Sequence, residues 1–457
     1  MPRLEPASNQ VRASIKNAPD KFRMIGGWIE RPVDPRPLLS GQTSADVIVI
    51  GAGFAGLSTA LELRARGADV IVLEREFAGF GASGRNAGYL AGGQGLDYPL
   101  MLKRVDREQA SAIVRYYEDA IPYVEQRFEQ YGIDCDYVRS GLISAGVHPS
   151  QKDRLLTRMQ MGVELGAPAV FLDEQTMRQR GIPPAFLFGA ASPGGGTLDP
   201  GKYVSGLRRA AIAAGVRLYE STPVLSIQDH RTIVCRTPKG LARADNCVIA
   251  VNAYAPQLGI LGTKVIPLRV SAIETEPLSA AQLASLDWPG REGITTKHYV
   301  MESHRLTARN SLVVTTKHLE YVYGSKTPNI PDDRAYRELA AALYERFPTL
   351  DDVGIRSCWS GYISNAPDTM PVVGQSGTHE NIFYTAGCSG HGVGTQSFVG
   401  ELLAERVQGR THRYWNALQH DTPSQLPEPI RWVAMKTMLS AAHWMDNRLN
   451  RLVRRNS

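Results

Sequence analysis

The chain is short of the features that mark a metal-held, disulfide-bonded or membrane-spanning protein. Its 457 residues include five cysteines, Cys135, Cys235, Cys247, Cys358 and Cys388. They are scattered, with no C-x-x-C pair and no Cys/His cluster at ligand spacing, so neither a metal site nor a structural disulfide is expected. No stretch approaches the roughly 18 to 20 uninterrupted apolar residues that a bilayer span needs. The amino-terminal MPRLEPASNQVRASIK lacks the apolar centre of a secretory signal, and the expected address is cytoplasmic. Charge of one sign is also scarce: the net charge is +6, too small for this length to suggest a nucleic-acid partner. It is unevenly spread, since six Lys/Arg face two acids from Glu428 to the end. That segment, 428–457, is the one that would meet the inner face of a membrane or a second copy of the chain.

What is present points to a nucleotide. A chain of this length favours two intimately joined domains. The stretch from Asp46 to Glu74, DVIVIGAGFAGLSTALELRARGADVIVLE, organises the first. Asp46 to Ile50 is almost wholly apolar, as suits a parallel strand buried on both faces. Gly51, Ala52, Gly53, Phe54, Ala55 and Gly56 follow at G-x-G-x-x-G spacing. Gly51 makes the tight turn, Gly53 lets the backbone approach a pyrophosphate, and Gly56 lets the next helix pack close to its strand. Leu57, Ala60, Leu61 and Leu63 give that helix an apolar face, and Val70 to Leu73 form a second strand. Glu74 stands at its tip, where a carboxylate can accept the hydroxyl protons of an adenosine ribose. It disfavours a 2′-phosphate, although Arg75 beside it leaves NADP open.

A second glycine-rich passage runs from Gly79 to Gly88. Gly81 and Ala82 allow close approach, while Ser83, Arg85 and Asn86 offer hydrogen bonds to phosphate oxygens or a flavin edge. A third glycine turn, Gly387-Cys-Ser-Gly-His-Gly-Val-Gly394, opens a helix that ends near Gly409, and so aims free N–H groups and a positive dipole end at whatever precedes it. Residues 1–44 read as an irregular arm anchored by Phe22 and Trp28. Val265 to Thr275 and Leu312 to Ser325 are strand-like and lack a βαβ rhythm, which assigns them to an antiparallel sheet. In that sheet Arg305 and Tyr299 are the candidates to face a substrate, an arginine being able to hold a carboxylate through two bonds. His298, His304 and His318 are read as surface residues.

These pieces resemble the flavin-dependent amine and amino acid oxidases of the D-amino acid oxidase superfamily, the group with glycine oxidase and sarcosine oxidase, and within it the gamma-glutamylputrescine oxidase branch. The resemblance spans roughly residues 40 to 410. It is carried by DVIVIGAGFAGLSTALEL with Glu74, GFGASGRNAG, TLDP, IPLRVSAIETEPL, Arg305-Leu306-Thr307, the W-S-G beginning at Trp359, and GCSGHGVG. It implies FAD, held without a covalent bond. Gly51 to Gly56 and Glu74 would take the ADP half, and Arg85, Asn86 and Gly88 would lie near the phosphates and flavin. Val224 would give backbone contacts to adenine, with Trp359 counted among the cofactor's neighbours. Gly387, Gly390, Gly392 and Val393 would border the flavin ring, with His391 beside it as a third catalytic candidate. The implied reaction removes a hydride equivalent from the carbon beside an amine nitrogen, gives an imine that water hydrolyses, and returns the electrons to O2 as peroxide. Where this branch tends to carry Gly-Gly, the chain has Thr315-Thr316. Some relatives attach flavin through a cysteine near the position of Cys358.

The expected fold is α/β, α+β taken whole: a Rossmann-like FAD domain discontinuous in sequence (45–135, 165–255 and 355–410) and an antiparallel-sheet substrate domain (136–164 and 256–354). The arm (1–44) precedes them and an amphipathic helical tail (411–457) follows. In that tail Met438, Ala441, Met445, Leu449 and Leu452 recur at helical spacing beside Trp432 and Trp444, with Arg448, Arg451, Arg454 and Arg455 clustered at the end. Against the leading function, oxidation of a small amine or amino acid, stand two alternatives. One is a membrane-associated dehydrogenase passing electrons to quinone; the other is a non-catalytic flavin-binding sensor or scaffold. An NAD-linked enzyme would have no use for the turn at 387–394.

Overall fold

Two eight-stranded sheets organise the chain. The computed structural model describes residues 8–456, with side chains to Arg454. The first sheet is built on the strand Gly41–Ile50, which lies parallel to Val70–Leu73 on one side and Gly240–Ile249 on the other. Arg217–Tyr219 extends it at one edge and Ile382–Ala386 at the other, both parallel. Val372–Ser376 closes the latter edge antiparallel, and Ser226–Gln228 and Ile233–Arg236 form an antiparallel ribbon on Gly240–Ile249. Ile48, Ile50, Ile71 and Leu73 enter one buried cluster, and Val47, Val49, Val70 and Val72 enter the other. Burial on both faces is why these strands read as unbroken apolar runs.

The helices Phe54–Ala65 and Gly392–Val407 lie on the valine face and touch each other. A Cβ at Gly400 would come within 2.6 Å of the Thr59 nitrogen, so glycine is what permits their approach. That contact sets the two helix N-termini side by side.

The second sheet runs Ile355–Asn365, Ile266–Thr275, Leu312–Glu320, Glu302–Leu306, Gly293–Thr296, Leu142–Gly146, Phe188–Ser192, Val170–Leu172. Gly293–Thr296 pairs parallel with Leu142–Gly146; the other neighbours are antiparallel. Helix Asp333–Arg346 covers it with Tyr336, Leu339, Ala340 and Leu343. This corrects the expected boundaries. The segments 165–192 and 355–365 fall in stretches assigned to the FAD domain, yet Val170–Leu172, Phe188–Ser192 and Ile355–Asn365 pair within the second sheet. A strand's own period of two does not say which sheet it joins.

Three further readings change. The arm is not irregular throughout: Asn9–Asn17 is helical, capped by Ser8, whose hydroxyl accepts the Val11 N–H at 3.2 Å. The last residues of the arm are strand, paired from Gly41 with Gly240. His298 and His304 are buried, bonded respectively to Asn450 and Glu302. Phe22 and Trp28 do anchor the arm, stacking on Tyr336 and packing edge-on to Trp359.

His318, Glu338 and His443 bring ligand-type atoms within 4.8 Å of one another, the one such group among the described residues. Arg334 donates to both Glu338 Oε1 and His443 Nε2 at 2.9 Å, so the cluster is an ion-pair network tying the C-terminal helix Ile430–Asn456 to the second sheet. Among the described residues no helix is long and apolar enough to cross a membrane.

Candidate active site

The first glycine turn has the shape its spacing predicts. Gly51 sits at φ +101°, where an L side chain is strained, and a Cβ there would meet the Ala250 carbonyl oxygen at 2.7 Å. A Cβ at Gly56 would lie 1.9 Å from the Gly51 oxygen, so helix Phe54–Ala65 reaches its strand only as glycine. At Gly53 the nearest atom is Ser83 Oγ at 2.8 Å, and that same hydroxyl accepts the Phe54 N–H at 3.0 Å. Ser83 thus ties the second glycine passage to the first.

Glu74 ends the strand Val70–Leu73, and its two oxygens accept the Ala52 and Glu76 N–H groups at 2.8 and 2.9 Å. Burial raises its pKa, and these two donors work against the rise. Each oxygen keeps a lone pair for a ribose hydroxyl. Thr222 donates to the Glu74 carbonyl at 2.7 Å, which brings Val224 close to this corner, packed against the adjoining cluster.

The turn 387–391 bends through three positive φ values, at Gly387, Ser389 and Gly390. It is held by the Gly387 N–H on Ser364 Oγ and the Ser389 N–H on the Ser364 carbonyl, both at 3.0 Å. Helix Gly392–Val407 then begins without a side-chain cap, so its positive end is free for an anion.

One cavity joins these parts. Gly53, Phe54 and Ala55 line it from the first turn, Gly81 to Ser83 from the second passage, and Cys388, Ser389, Gly390, Gly392 and Val393 from the third. Its opposite wall is the second sheet, through Leu268, Val270, Ser271, Thr315, Thr316, Leu319 and Tyr362. Tyr89, Asn252, Tyr254, Asn365 and Gln396 add polar groups, and burial pushes the Tyr89 hydroxyl up to about 12, so it stays protonated. The glycine turns, the spare lone pairs of Glu74 and the uncapped helix end together fit an elongated dinucleotide such as FAD.

No carboxylate lines this cavity, and its one cationic side chain is Arg85. Four of its five N–H groups are engaged: Nε donates to the Phe80 carbonyl, Nη2 to the Met24 carbonyl, and Nη1 to Ser360 O and Asn329 Oδ1, all at 2.8 to 3.1 Å. Arg85 therefore braces the arm against the second sheet from the cavity wall, with one Nη2 N–H left for the expected phosphate or flavin contact. Asn86 is likewise turned inward, donating to the Ala82 and Ser83 carbonyls and accepting the Gly88 N–H.

Of the catalytic candidates, Tyr299 alone lines the cavity, exposed at its rim beneath the Arg154 guanidinium. Arg305 is buried outside it. Its Nη1 donates to the Gly88 and Leu198 carbonyls at 2.6 Å, and its guanidinium lies 4.7 Å from the Trp28 ring. Burial pulls its pKa down to about 10. Gly88 must be glycine for this, since a Cβ would lie 2.2 Å from Arg305 Nη1. His391 turns away as well, its Nε2 at 3.2 Å from the Gln94 carbonyl and its ring against Tyr117. Burial lowers its pKa, which keeps it neutral. Trp359 is wholly buried, donating to the Arg85 carbonyl. Arg75 stacks on Tyr254 at 4.8 Å. Cys358 points at the Ala18 carbonyl beneath the arm, away from the cavity.

A conservative Arg305→Lys exchange accordingly tests a brace rather than a substrate clamp. We expect it to cost about 2 kcal/mol of stability through two lost charged hydrogen bonds and the ring stack. The amine KM should move less than about twofold; a much larger rise in KM at unchanged stability would restore Arg305 to the substrate.

Sequence reading missed the polar wall of Ser271, Asn252, Asn365 and Gln396. Thr315-Thr316 did stand out as a departure from the branch, and Thr316 adopts φ +76°, rare for a β-branched residue, where the strand bends at the cavity. The others have no signature of their own.

The family model described as DAO, FAD dependent oxidoreductase, matches residues 46–406. The chain is 32% identical over 389 residues to gamma-glutamylputrescine oxidoreductase of Escherichia coli (strain K12), covering 83% of this chain and 87% of that one. To the glycine oxidase of Geobacillus kaustophilus it is 25% identical over 382 residues, covering 79% and 93%. The crystal structure of glycine oxidase from Geobacillus kaustophilus superposes with a TM-score of 0.67 at 22% identity, covering 81% of this chain and 96% of that one. That of L-proline dehydrogenase from P. horikoshii gives 0.64 at 22% identity, covering 83% and 95%. The chain belongs to the DAO family of FAD-dependent oxidoreductases, flavoenzymes acting on amine or amino acid donors.

Proposed function

We propose that the chain oxidises the C–N bond of a small amine bearing no carboxylate beside the reacting carbon, giving an imine, with O2 as acceptor and H2O2 as product. The observation that carries this is that no carboxylate and no cation other than Arg85 line the cavity, and four of the five Arg85 N–H groups are already spent on carbonyl and amide oxygens. A substrate carboxylate buried there would find at most one spare Arg85 N–H and no second cation, so it would lack a two-bond partner. Leaving such a charge unpaired costs several kcal/mol, about a hundredfold or more in binding. The gamma-glutamylputrescine oxidoreductase of Escherichia coli, by its name, acts on an amine of the same broad kind.

FAD would be held by Gly51, Gly53, Gly56 and Glu74 at one end and by the turn 387–393 at the other, and it supplies a two-electron acceptor. The remaining work falls to the chain. The uncapped N–H groups of helix Gly392–Val407 would stabilise negative charge at the cavity end they face. Ser271, Thr315, Thr316 and Tyr89 offer hydrogen bonds to orient an uncharged nitrogen. The absence of a carboxylate to hold an ammonium means that the free amine is the form admitted. On this reading log(kcat/KM) rises with unit slope as pH approaches the amine's own pKa, and the break follows the substrate when amines of different basicity are compared. A break that stays fixed across substrates would point to a protein base.

The deciding experiment is anaerobic loss of flavin absorbance with matched donors. Primary and secondary alkylamines and a gamma-glutamyl amide of a diamine are set against glycine, sarcosine, proline and D-alanine, followed by peroxide release in air. The amines should reduce the flavin at least about a hundredfold more efficiently. Equal or better reduction by the amino acids would sink the assignment, and a yellow protein that no donor bleaches would leave a sensor or scaffold. The quinone-linked reading is favoured by the apolar outer face of the C-terminal helix; slow peroxide release with fast quinone reduction would select it.

A further inference from the structure

The C-terminal helix Ile430–Asn456 has two faces with different fates. Its inner face is fully used. Trp432 and Met435 pack on the cluster of Ile266, Leu268 and Tyr321, and Leu449 and Val453 pack against the core under the second sheet. Asp446 accepts the Tyr299 and Val300 N–H groups, each at 2.8 Å, and Asn450 Oδ1 meets His298 at 3.1 Å and Arg346 at 2.9 Å. The helix thus holds the backbone of a segment that lines the cavity.

The outer face has no such employment. Ile430, Val433, Met438 and Trp444 are each more than half exposed and lie on one side of the helix. The charge around the stripe is of one sign. From Ile430 to Arg454 the single acid is Asp446, which is buried and engaged. Lys436, Arg448 and Arg451 have no carboxylate partner among the described residues; Lys436 and Arg448 lie over the Trp432 and Trp444 rings, at 4.7 and 6.0 Å. A second copy of the chain would offer this face the same cations and no exposed acid from the helix. An anionic headgroup layer would pair the cations and take up the apolar side chains between them.

We infer that Ile430–Asn456 is a docking helix for an anionic lipid surface, which sets the Tyr299 rim of the cavity beside the bilayer. This holds whether or not the reaction proposed above is correct, because its test needs no substrate. The FAD-loaded full chain is sedimented with vesicles of phosphatidylcholine alone or with one-third phosphatidylglycerol. Partitioning should be at least tenfold stronger with the anionic lipid and should fall as salt is raised. Arg448→Glu with Arg451→Glu should abolish that preference, and Val433→Ser with Trp444→Ser should weaken binding to the anionic vesicles at least tenfold. Retained flavin absorbance and an unchanged melting temperature would show that each variant is folded. Equal partitioning with both lipids, or no binding, overturns the inference. So does a dimer in light scattering that Trp444→Ser dissociates, which would assign the face to a second copy.

Discussion

A Gly56→Ala variant is expected to be colourless. The added Cβ would stand 1.9 Å from the Gly51 carbonyl oxygen and 3.3 Å from Val49 Cγ1. Both the helix start and the strand end are backbone within a buried sheet, so relief requires separating the helix from the strand that positions it. Overpacking of this kind costs about 1 to 3 kcal/mol where side chains can yield, and here no side chain can. The displacement falls on the turn that would hold the pyrophosphate, so FAD affinity should drop at least about a hundredfold. Gly67→Ala is the matched control. Gly67, unlike Gly56, lies at positive φ, +87°, and nothing comes within 4 Å of its Cβ position, so only backbone strain of about 1 to 2 kcal/mol is expected. The ratio of flavin to protein absorbance after reconstitution separates the two; a Gly56→Ala protein that binds FAD stoichiometrically would refute the packing argument.

Glu302→Gln should be the most destabilising change at the back of the cavity. Glu302 is fully buried and receives Arg346 Nε at 2.9 Å, Arg346 Nη2 at 3.2 Å and Lys317 Nζ at 2.6 Å. Burial by itself would raise its pKa; the charges of Arg346, Lys317 and His298 outweigh that and hold it well below the ordinary carboxylate range. Neutralising it leaves two cations without a counter-charge, at a cost of about 3 to 5 kcal/mol. Lys317 follows Thr316 on the cavity wall, so KM should rise as stability falls. The pH dependence has a definite sign. The folded pKa is depressed, so the stabilisation is complete above the unfolded value of about 4.3 and is lost as pH drops below it towards the folded value. Urea midpoints of wild type and variant should therefore differ most at neutral pH and converge in acid. A neutral-pH difference under about 1 kcal/mol would show that the network does not carry this load.

What could be read beforehand was what is local. Gly51, Gly53, Gly56 and Glu74 lie in one stretch of chain, and their spacing alone fixes a turn, a helix contact and a strand tip. The turn at 387–394 was legible for the same reason. Arg305 was misjudged, and the bracing bonds of Arg85 were unseen, because sequence shows a guanidinium but not the carbonyls waiting for it: those of Met24, Ser360, Gly88 and Leu198 arrive from distant segments. His298 and His304 looked like surface residues because their partners, Asn450 and Glu302, are invisible until the C-terminal helix and the second sheet are in place. The strands Phe188–Ser192 and Ile355–Asn365 were put in the wrong body because pairing is non-local. Asp446 gave no signal, being one acid in a basic tail.

The glycine-turn wall of the cavity is drawn from widely separated segments of the polypeptide, Gly53 to Ala55 and Cys388 to Val393. During synthesis, the nucleotide-gripping turn leaves the ribosome long before the helix that completes the site. A growing chain therefore exposes an apolar sheet without its cover, and flavin capture must wait until residues 387–393 and the helix after them have been made. Yield in a host cell should then respond to chaperone supply and to a late-acting flavin pool more than to the speed at which the first domain is made.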